Sequence, residues 1–412
     1  MGAPATADRT ADGFARDGAS ADGLRVETHD LTADHLARLG SALDSLAAAD
    51  PAANPFFSAM MGLGLIDLRS ARSAPPARSF EVWCGNRLVA FLPVERVQRL
   101  GRLPFPHYQS VHWRHRFLAE PLIDPGVLEP VCAVLLTWLG QAKPRGLALS
   151  LPLLRRDGAF RRTLHAAAVA RGIAVHDVRA ATRPAMIFPK RINQSFDDYL
   201  GTRFSAQSLK KLRAKRRKLS AMGPLRHERL ARGHETAPWF DLFLTLEHES
   251  WKGEGGTSIL ADPVDGRFFR GMVKAAHNNG TLVMTRTVLG LPTGDRPLAM
   301  SLDIRQGDHQ YALKIAYDNA FAAYSPGVLH EIENVRGLWE GHRTSNAEAE
   351  HYPSVLDSCA AGDHPVLSKL YADTIALSHL MISPAPGLAG LPLNTVIGAK
   401  TIRSRLQARS AT

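Results

Sequence analysis

The chain has 412 residues, 45% of them apolar and 22% charged; this is globular composition, and it excludes a wholly disordered or collagen-like chain. Fifty Lys and Arg against 39 Asp and Glu leave a formal charge of +11, so attraction to anions is expected, whether phosphate, nucleic acid or an acidic membrane surface. The three cysteines, Cys84, Cys132 and Cys359, form no CxxC pair and accompany no histidines at metal spacing, which argues against a disulfide framework or a metal site and for a reducing, cytoplasmic compartment.

The length exceeds what one core usually holds, so two domains are expected. Residues 1–25 are mostly Ala, Gly, Asp and Thr without the apolar segment of a secretory signal, and are expected to form a disordered arm. Asn54-Pro55-Phe56-Phe57 starts a short helix. Phe80 to Cys84 and Arg87 to Val97 are apolar runs about the two-residue turn Gly85-Asn86, a hairpin signal. Val127 to Gly140 is the most apolar stretch, but it contains Pro130 and is too short to cross a bilayer; it reads as a buried helix over 127–142. Strand, helix and strand follow at 146–151, 157–171 and 173–178, an α/β order.

A polar, basic helix begins near Lys190. Trp239, Phe240, Phe243, Leu244 and Leu246, and then Phe268, Phe269, Met272, Val273 and Ala276, stand at helical spacing, and Asn279-Gly280 stops the second helix. Thr281 to Leu289, Pro297 to Arg305 and Tyr311 to Asp318 predict an antiparallel meander, followed by a helix over 327–341. The hairpin at Gly85-Asn86 and the meander around Gly294-Asp295 use the same device, so two related α/β halves are expected, over 26–189 and 190–383. From Pro384 to Thr412 the chain is rich in Pro, Gly and small residues and reads as a flexible basic tail.

The segment from Tyr311 to Glu331 carries the chemistry. It runs from a strand through a loop into a helix that begins at Ser325-Pro326-Gly327. Serine caps, proline suits the first turn, and glycine lets a phosphate approach free backbone N–H groups, so this is a candidate pyrophosphate cradle; an ordinary helix start has the same residues.

Glu247 with Trp251-Lys252-Gly253, then Gly256-Thr257, Lys314 to Asp318, Tyr324 to Gly327, and Asp357-Ser358-Cys359 resemble the pattern of the CelD/BcsL family, over roughly residues 200 to 365. That family is similar to tandem-GNAT acyltransferases and is associated with cellulose or other exopolysaccharide production; FemAB-like relatives transfer amino acids from aminoacyl-tRNA to peptidoglycan precursors. The resemblance implies tandem GNAT-like domains, each a mixed, largely antiparallel sheet flanked by helices, the first half a degenerate copy. It implies acyl-CoA, acetyl-CoA foremost, as cosubstrate with no permanently bound cofactor, and a saccharide or lipid-linked acceptor. The pyrophosphate would lie at Tyr324, Ser325, Gly327 and Val328. The usual GNAT loop, Arg/Gln-x-x-Gly-x-Gly/Ala, is replaced here by Ala322 to Gly327.

Acyl transfer from a thioester needs a nucleophile, a base and donors for the oxyanion. Asp318, at the carboxyl end of the central strand, is the first candidate base and equally a turn or cap carboxylate; Glu331 is the second. Tyr317 and Tyr324 are candidates to protonate the thiolate, or are core tyrosines. Regular alternation would put Lys314 and Asp318 on one face, as a cleft pair or a salt bridge. Glu247, Trp251 and Lys252 suggest an acceptor-side lid, with Trp251 alternatively a core plug. The run Lys210 to Lys218 has seven basic residues in nine; it is a solvated face or a contact for CoA, lipid-linked sugar, tRNA or an anionic inner membrane surface. Asp357-Ser358-Cys359 with His364 contains nucleophile and base types but reads as structural. His107, Tyr108, His112 and Trp113 are acceptor contacts from the first half or simple packing.

Overall fold

The computed structural model describes residues 23–49, 54–250, 253, 255–344 and 352–399. Among the described residues thirteen strands form one mixed sheet: β1 (Leu24–Asp30), β2 (Ala77–Cys84), β3 (Arg87–Leu100), β4 (Leu103–Ser110), β5 (Leu122–Ile123), β6 (Leu149–Arg155), β7 (Ile173–Ile187), β8 (Leu225–Arg229), β9 (Leu282–Leu291), β10 (Gly294–Gln306), β11 (His309–Tyr317), β12 (Val355–Asp357) and β13 (Asp373–Pro386). Their order is β1-β2-β3-β4-β6-β13-β7-β12-β11-β10-β9-β8, with β5 on β3. Two neighbouring pairs are parallel, β4 with β6 and β11 with β12, and both are short.

Each half is built the same way. Two-residue turns join β2 to β3 at Gly85-Asn86, β3 to β4 at Gly101-Arg102, and β10 to β11 at Gly307-Asp308; Gly85, Gly101 and Gly307 have φ of +57°, +64° and +53°, the left-handed geometry such hairpins require. The β9–β10 turn uses Pro292-Thr293, two residues before the Gly294-Asp295 that the sequence suggested. The mixed α/β fold and the repeated meander expected from the sequence are present. A long strand then crosses over in each half: β7 ends beside β12, and β13 lies between β6 and β7.

The sheet is continuous through both halves, and one apolar core includes Phe56, Phe91 and Leu136 of the first with Phe243, Phe268 and Tyr311 of the second. Helix Ala59–Ala71 packs on helix Pro263–Asn278, which buries the predicted Phe268, Phe269, Met272, Val273 and Ala276. Asp262 caps the latter helix by accepting from Val264 N–H, and Pro263 occupies its first position. The helices crowd at Gly64, where an added Cβ would stand 2.7 Å from the Phe268 ring. Arg72 ties the same junction through Asp265, at 2.9 Å.

The tail expected from Pro384 is structured over much of its length. β13 runs to Pro386, a turn covers Gly387–Gly390, and 391–399 is helical, with Leu393 buried against Phe105, Ala148 and Met381. Small residues there are packing residues. The sequence also left unassigned β1 and helix Ala33–Ala49, which seats Leu36, Leu39, Leu43 and Leu46 in the core.

Candidate active site

The site begins with a defect in the β10–β11 ladder. Leu302 pairs with Lys314 and Asp303 with Ala312, so Leu313 is an extra residue on β11 and the strand bends there. On its other edge β11 pairs with β12 only from His309 to Tyr311, opposite Val355 to Asp357. Beyond that point lies a cleft of about 650 Å³, walled by Ala312 to Tyr317, by Ser358 to Ala360, and by the start of helix Pro326–Thr344. Arg114, His115 and Phe117 of the first half complete it.

Ser325, Gly327 and Val328 line one end of this cleft. Ser325 has φ of +55°, left-handed geometry that non-glycine residues seldom adopt. Its carbonyl accepts from the N–H groups of Val328 and Leu329, both at 3.1 Å, while its hydroxyl accepts from Lys215 Nζ at 2.6 Å. The serine therefore does not cap the helix through its side chain as expected; it docks the basic helix Ala206–Ser220 on the helix start. A Cβ on Gly327 would meet Tyr317 Cδ1 at 3.1 Å, so glycine keeps the turn close to β11. The helix start and Lys215 together put positive charge at this end of the cleft. Tyr324 is not part of the cleft: it packs near Phe321 against Leu219, Leu289 and Leu298.

Two carboxyl groups lie in the cleft wall. Glu331 is 7% exposed; Tyr371 donates to its Oε1 at 2.6 Å and Asn334 Nδ2 to its Oε2 at 3.3 Å. Burial pushes its carboxyl above the usual range. Asp303, from β10, is 4% exposed; its Oδ2 accepts from Gln310 at 2.7 Å and its Oδ1 has no hydrogen-bond partner. Burial first, and the neighbouring Glu331 charge second, hold it well above the ordinary value. Asp303 and Tyr371 escaped the sequence reading, although a lone acid inside the apolar run Leu298 to Ile304 was a signal for a buried carboxyl.

Asp318 is placed elsewhere. β11 ends at Tyr317, and Asp318 caps the following turn by accepting from Ala320 N–H while Arg296 Nε donates to it at 2.7 Å. It lines a separate shallow depression with Arg296 and Thr245, so it is the cap carboxylate and shares no cleft wall with Lys314. Tyr317 does line the cleft. Lys314 lines it too, with Nζ 3.6 Å from Glu247 Oε1 and 5.5 Å above the Phe269 ring. Glu247 is fully buried and its Oε2 accepts from Ile259 N–H at 2.8 Å; it supports Lys314 from behind rather than meeting a substrate. Trp251 and Lys252 lie outside the described residues.

The first half contributes through residues the sequence did not single out. His115 Nε2 stands 3.2 Å from Asp265 Oδ2, and burial, the largest influence, lowers its ring's affinity for a proton. Arg114 donates to Thr257 O at 3.0 Å. By contrast His107 bonds Phe105 O, Tyr108 bonds Pro144 O, and Trp113 is buried against Phe57: these are packing residues, while His112 is exposed and only its backbone N–H donates to Glu95. At Asp357-Ser358-Cys359 the carboxylate accepts from Cys359 N–H, and His364 Nδ1 accepts from Leu367 N–H. Burial, then Asp357, push the Cys359 thiol well up, the opposite of a poised nucleophile.

The Acetyltransferase (GNAT) domain family matches residues 206–345. The crystal structure of FemX is similar at 12% identity, covering 86% of this chain and 96% of that one, with a TM-score of 0.50. A tandem GNAT protein from the clavulanic acid biosynthesis pathway, without AcCoA, aligns at 17% identity over 88% and 100% of the two chains with a TM-score of 0.39. A GCN5-related N-acetyltransferase from Sphaerobacter thermophilus aligns at 10% over 88% and 97%, with a TM-score of 0.30. No curated protein matches the sequence. At these identities the likeness is one of fold, and the FemX comparison carries it. Residues 206–345, which match the GNAT domain model, hold β11, the basic helix and the turn at Ser325.

Proposed function

We propose that the chain is an acyltransferase that moves an acyl group, acetyl in the first instance, from acyl-CoA to an amine or hydroxyl of an acceptor in the cleft beside β11. The observation that carries this is the joining of a strand-bounded cleft to a helix start that Lys215 faces. The pyrophosphate would sit at the helix start beside Gly327 and Val328, where the Gly327 N–H is the donor, and the pantetheine would run along β11 toward Leu313. Glu331 takes the proton from the acceptor as its nitrogen or oxygen attacks the thioester carbon. The tetrahedral intermediate then collapses, the C–S bond breaks, and Tyr317 returns a proton to the thiolate. A base whose affinity for protons is raised by burial suits this role. Asp303 beside it disfavours a second negative charge, and the Tyr371 hydroxyl holds Glu331 in place.

The acceptor class, a saccharide or lipid-linked saccharide of exopolysaccharide or envelope synthesis, rests on the CelD/BcsL resemblance. Among the described residues no helix is long and apolar enough to cross a membrane. Lys210, Lys211, Arg213, Arg217 and Lys218 are exposed on the helix that holds Lys215, which supports peripheral contact with an anionic inner membrane surface from a cytoplasmic location. The same basic face favours, as a second reading, a tRNA-borne aminoacyl donor. Isothermal titration with CoA and acetyl-CoA, repeated on Gly327→Leu, tests the first reading: binding lost in the variant places the donor at the cradle. Absence of binding to the intact protein, with tRNA binding at low salt, would replace it by the second.

A further inference from the structure

A second cleft, of about 640 Å³, opens on the far side of the loop that follows β12. Phe117, Cys359 and Ala360 line both clefts, so the two adjoin at these residues. The second is floored by β7, where the regular register from Arg179 to Arg183 against β13 puts Arg179, Ala181 and Arg183 on one face. Leu153 of β6 and Leu377 of β13 form apolar walls.

Arg183 is the unusual member. It is 3% exposed, and its Nη2 donates to Phe117 O at 2.8 Å. Its Nε stands 3.4 Å from Asp357 Oδ1, an oxygen already accepting from Cys359 N–H, and among the described residues its Nη1 has no hydrogen-bond partner. A buried guanidinium with an unused fork N–H is poorly satisfied by the protein alone, and a carboxylate or phosphate is the ligand whose geometry matches it. Arg179 and Asp363, both exposed, also line this cleft. Leu153 and Cys359, both lining this cleft, are held at φ of +58° and +51°; Leu153 in particular is a bulky residue in a conformation that persists where surrounding structure enforces it.

We propose that this second cleft is the acceptor subsite, and that it holds an anionic group of the acceptor, a carboxylate or a phosphate, on Arg183 and Arg179. The nucleophilic end of the same molecule then passes Phe117 and the Cys359 loop into the first cleft. The assignment of the anion as part of an acceptor rests on the acyl-transfer reading above. The anion seat itself does not.

The test uses the full chain with inorganic phosphate and acetate as probes at constant ionic strength, chloride being the control, and CoA in parallel. Affinity is read from thermal shift against probe concentration. In a Gly327→Leu background, where the CoA cradle is blocked, phosphate or acetate should still stabilise the protein, and the affinity should fall at least tenfold when Ala181→Trp, which fills the floor, is added and several-fold when Arg179→Ala is added. CoA should show the reverse pattern, retained in Ala181→Trp and lost in Gly327→Leu; retained CoA binding also shows that Ala181→Trp folds. Stabilisation by acetate alone assigns a carboxylate, by phosphate alone a phosphate. No stabilisation by either probe, or stabilisation that Ala181→Trp leaves intact, overturns the proposal. An anion response with the expected pattern but no CoA binding sinks the acyl-CoA reading instead.

Discussion

Lys215 Nζ donates to Ser325 Oγ at 2.6 Å, and this contact places a charge of the basic helix Ala206–Ser220 at the first turn of helix Pro326–Thr344. A run of basic residues along one helix is ordinarily a solvated face. Here one of its lysines turns inward, half-buried, while its neighbours remain exposed. Lys215→Met is therefore expected to weaken CoA binding by roughly tenfold, about 1.4 kcal/mol, with little change in thermal stability. Titration calorimetry of Lys215→Met beside Lys211→Met separates a specific contact from general charge: equal losses in both would refute the specific role.

Glu331 and Asp318 exchange the importance the sequence gave them. Glu331→Gln should lower kcat by about a hundredfold or more, the usual contribution of a general base. Asp318→Asn should leave kcat within about twofold and cost at most about 1 kcal/mol of stability, since its Arg296 partner is half exposed. Steady-state kinetics of both variants with one acceptor decides it, and a severe kcat defect in Asp318→Asn would reverse the assignment.

Activity and stability should move in opposite directions with pH. Burial raises the carboxyls of Glu331, Asp303 and Asp357 above their unfolded values. Such groups contribute stability that is complete below the unfolded value and is lost as pH rises through the folded one. Thermal midpoints should thus decline from the unfolded carboxylate range upward through the raised folded values. Over the same window kcat/KM should rise as Glu331 loses its proton. Glu331→Gln should remove the activity limb and flatten part of the stability decline; a decline as steep as that of the wild type would mean that other groups control it.

The cysteines give an independent check on the cleft. Cys84 is exposed, whereas burial pushes Cys132 up to about 12 and Cys359 well above its ordinary value. A thiol reagent at mildly alkaline pH should label Cys84 quickly, half-buried Cys359 slowly and buried Cys132 only after denaturation. Rapid labelling at Cys359, located by peptide mapping, would revive a nucleophilic role for it.

At the junction of the halves, Gly64→Ala would bring a Cβ within 2.7 Å of the Phe268 ring. The expected loss is about 1–3 kcal/mol, read as a lower urea midpoint with unchanged slope. An unchanged midpoint would show that Phe268 yields freely.

The helical periodicities and glycine turns were legible because each is set by residues close in sequence. Phe268 to Ala276 made their own stripe, and Gly85-Asn86 its own hairpin. The site was only half legible for the same reason. Ser325, Gly327, Val328, Tyr317 and Glu331 belong to one continuous segment, and all line the cleft. Asp303, Tyr371 and His115 reach it from β10, from the approach to β13 and from the first half, and no local pattern announces such convergence. Asp318 misled because strand alternation was carried one residue past the end of β11, into the turn that it caps. Tyr324 and Glu247 had the right neighbours but face the core.

β13 lies between β6 and β7, strands that leave the ribosome about two hundred residues before it. The first half therefore cannot close its own sheet while the chain is being made. It must wait, with the β6 and β7 edges open, until the second half has been synthesised and its final strand has threaded back. Pairings of such high sequence separation form late and slowly. Until then those edges stay unpaired, and the two halves, however alike in design, complete their sheet as one unit.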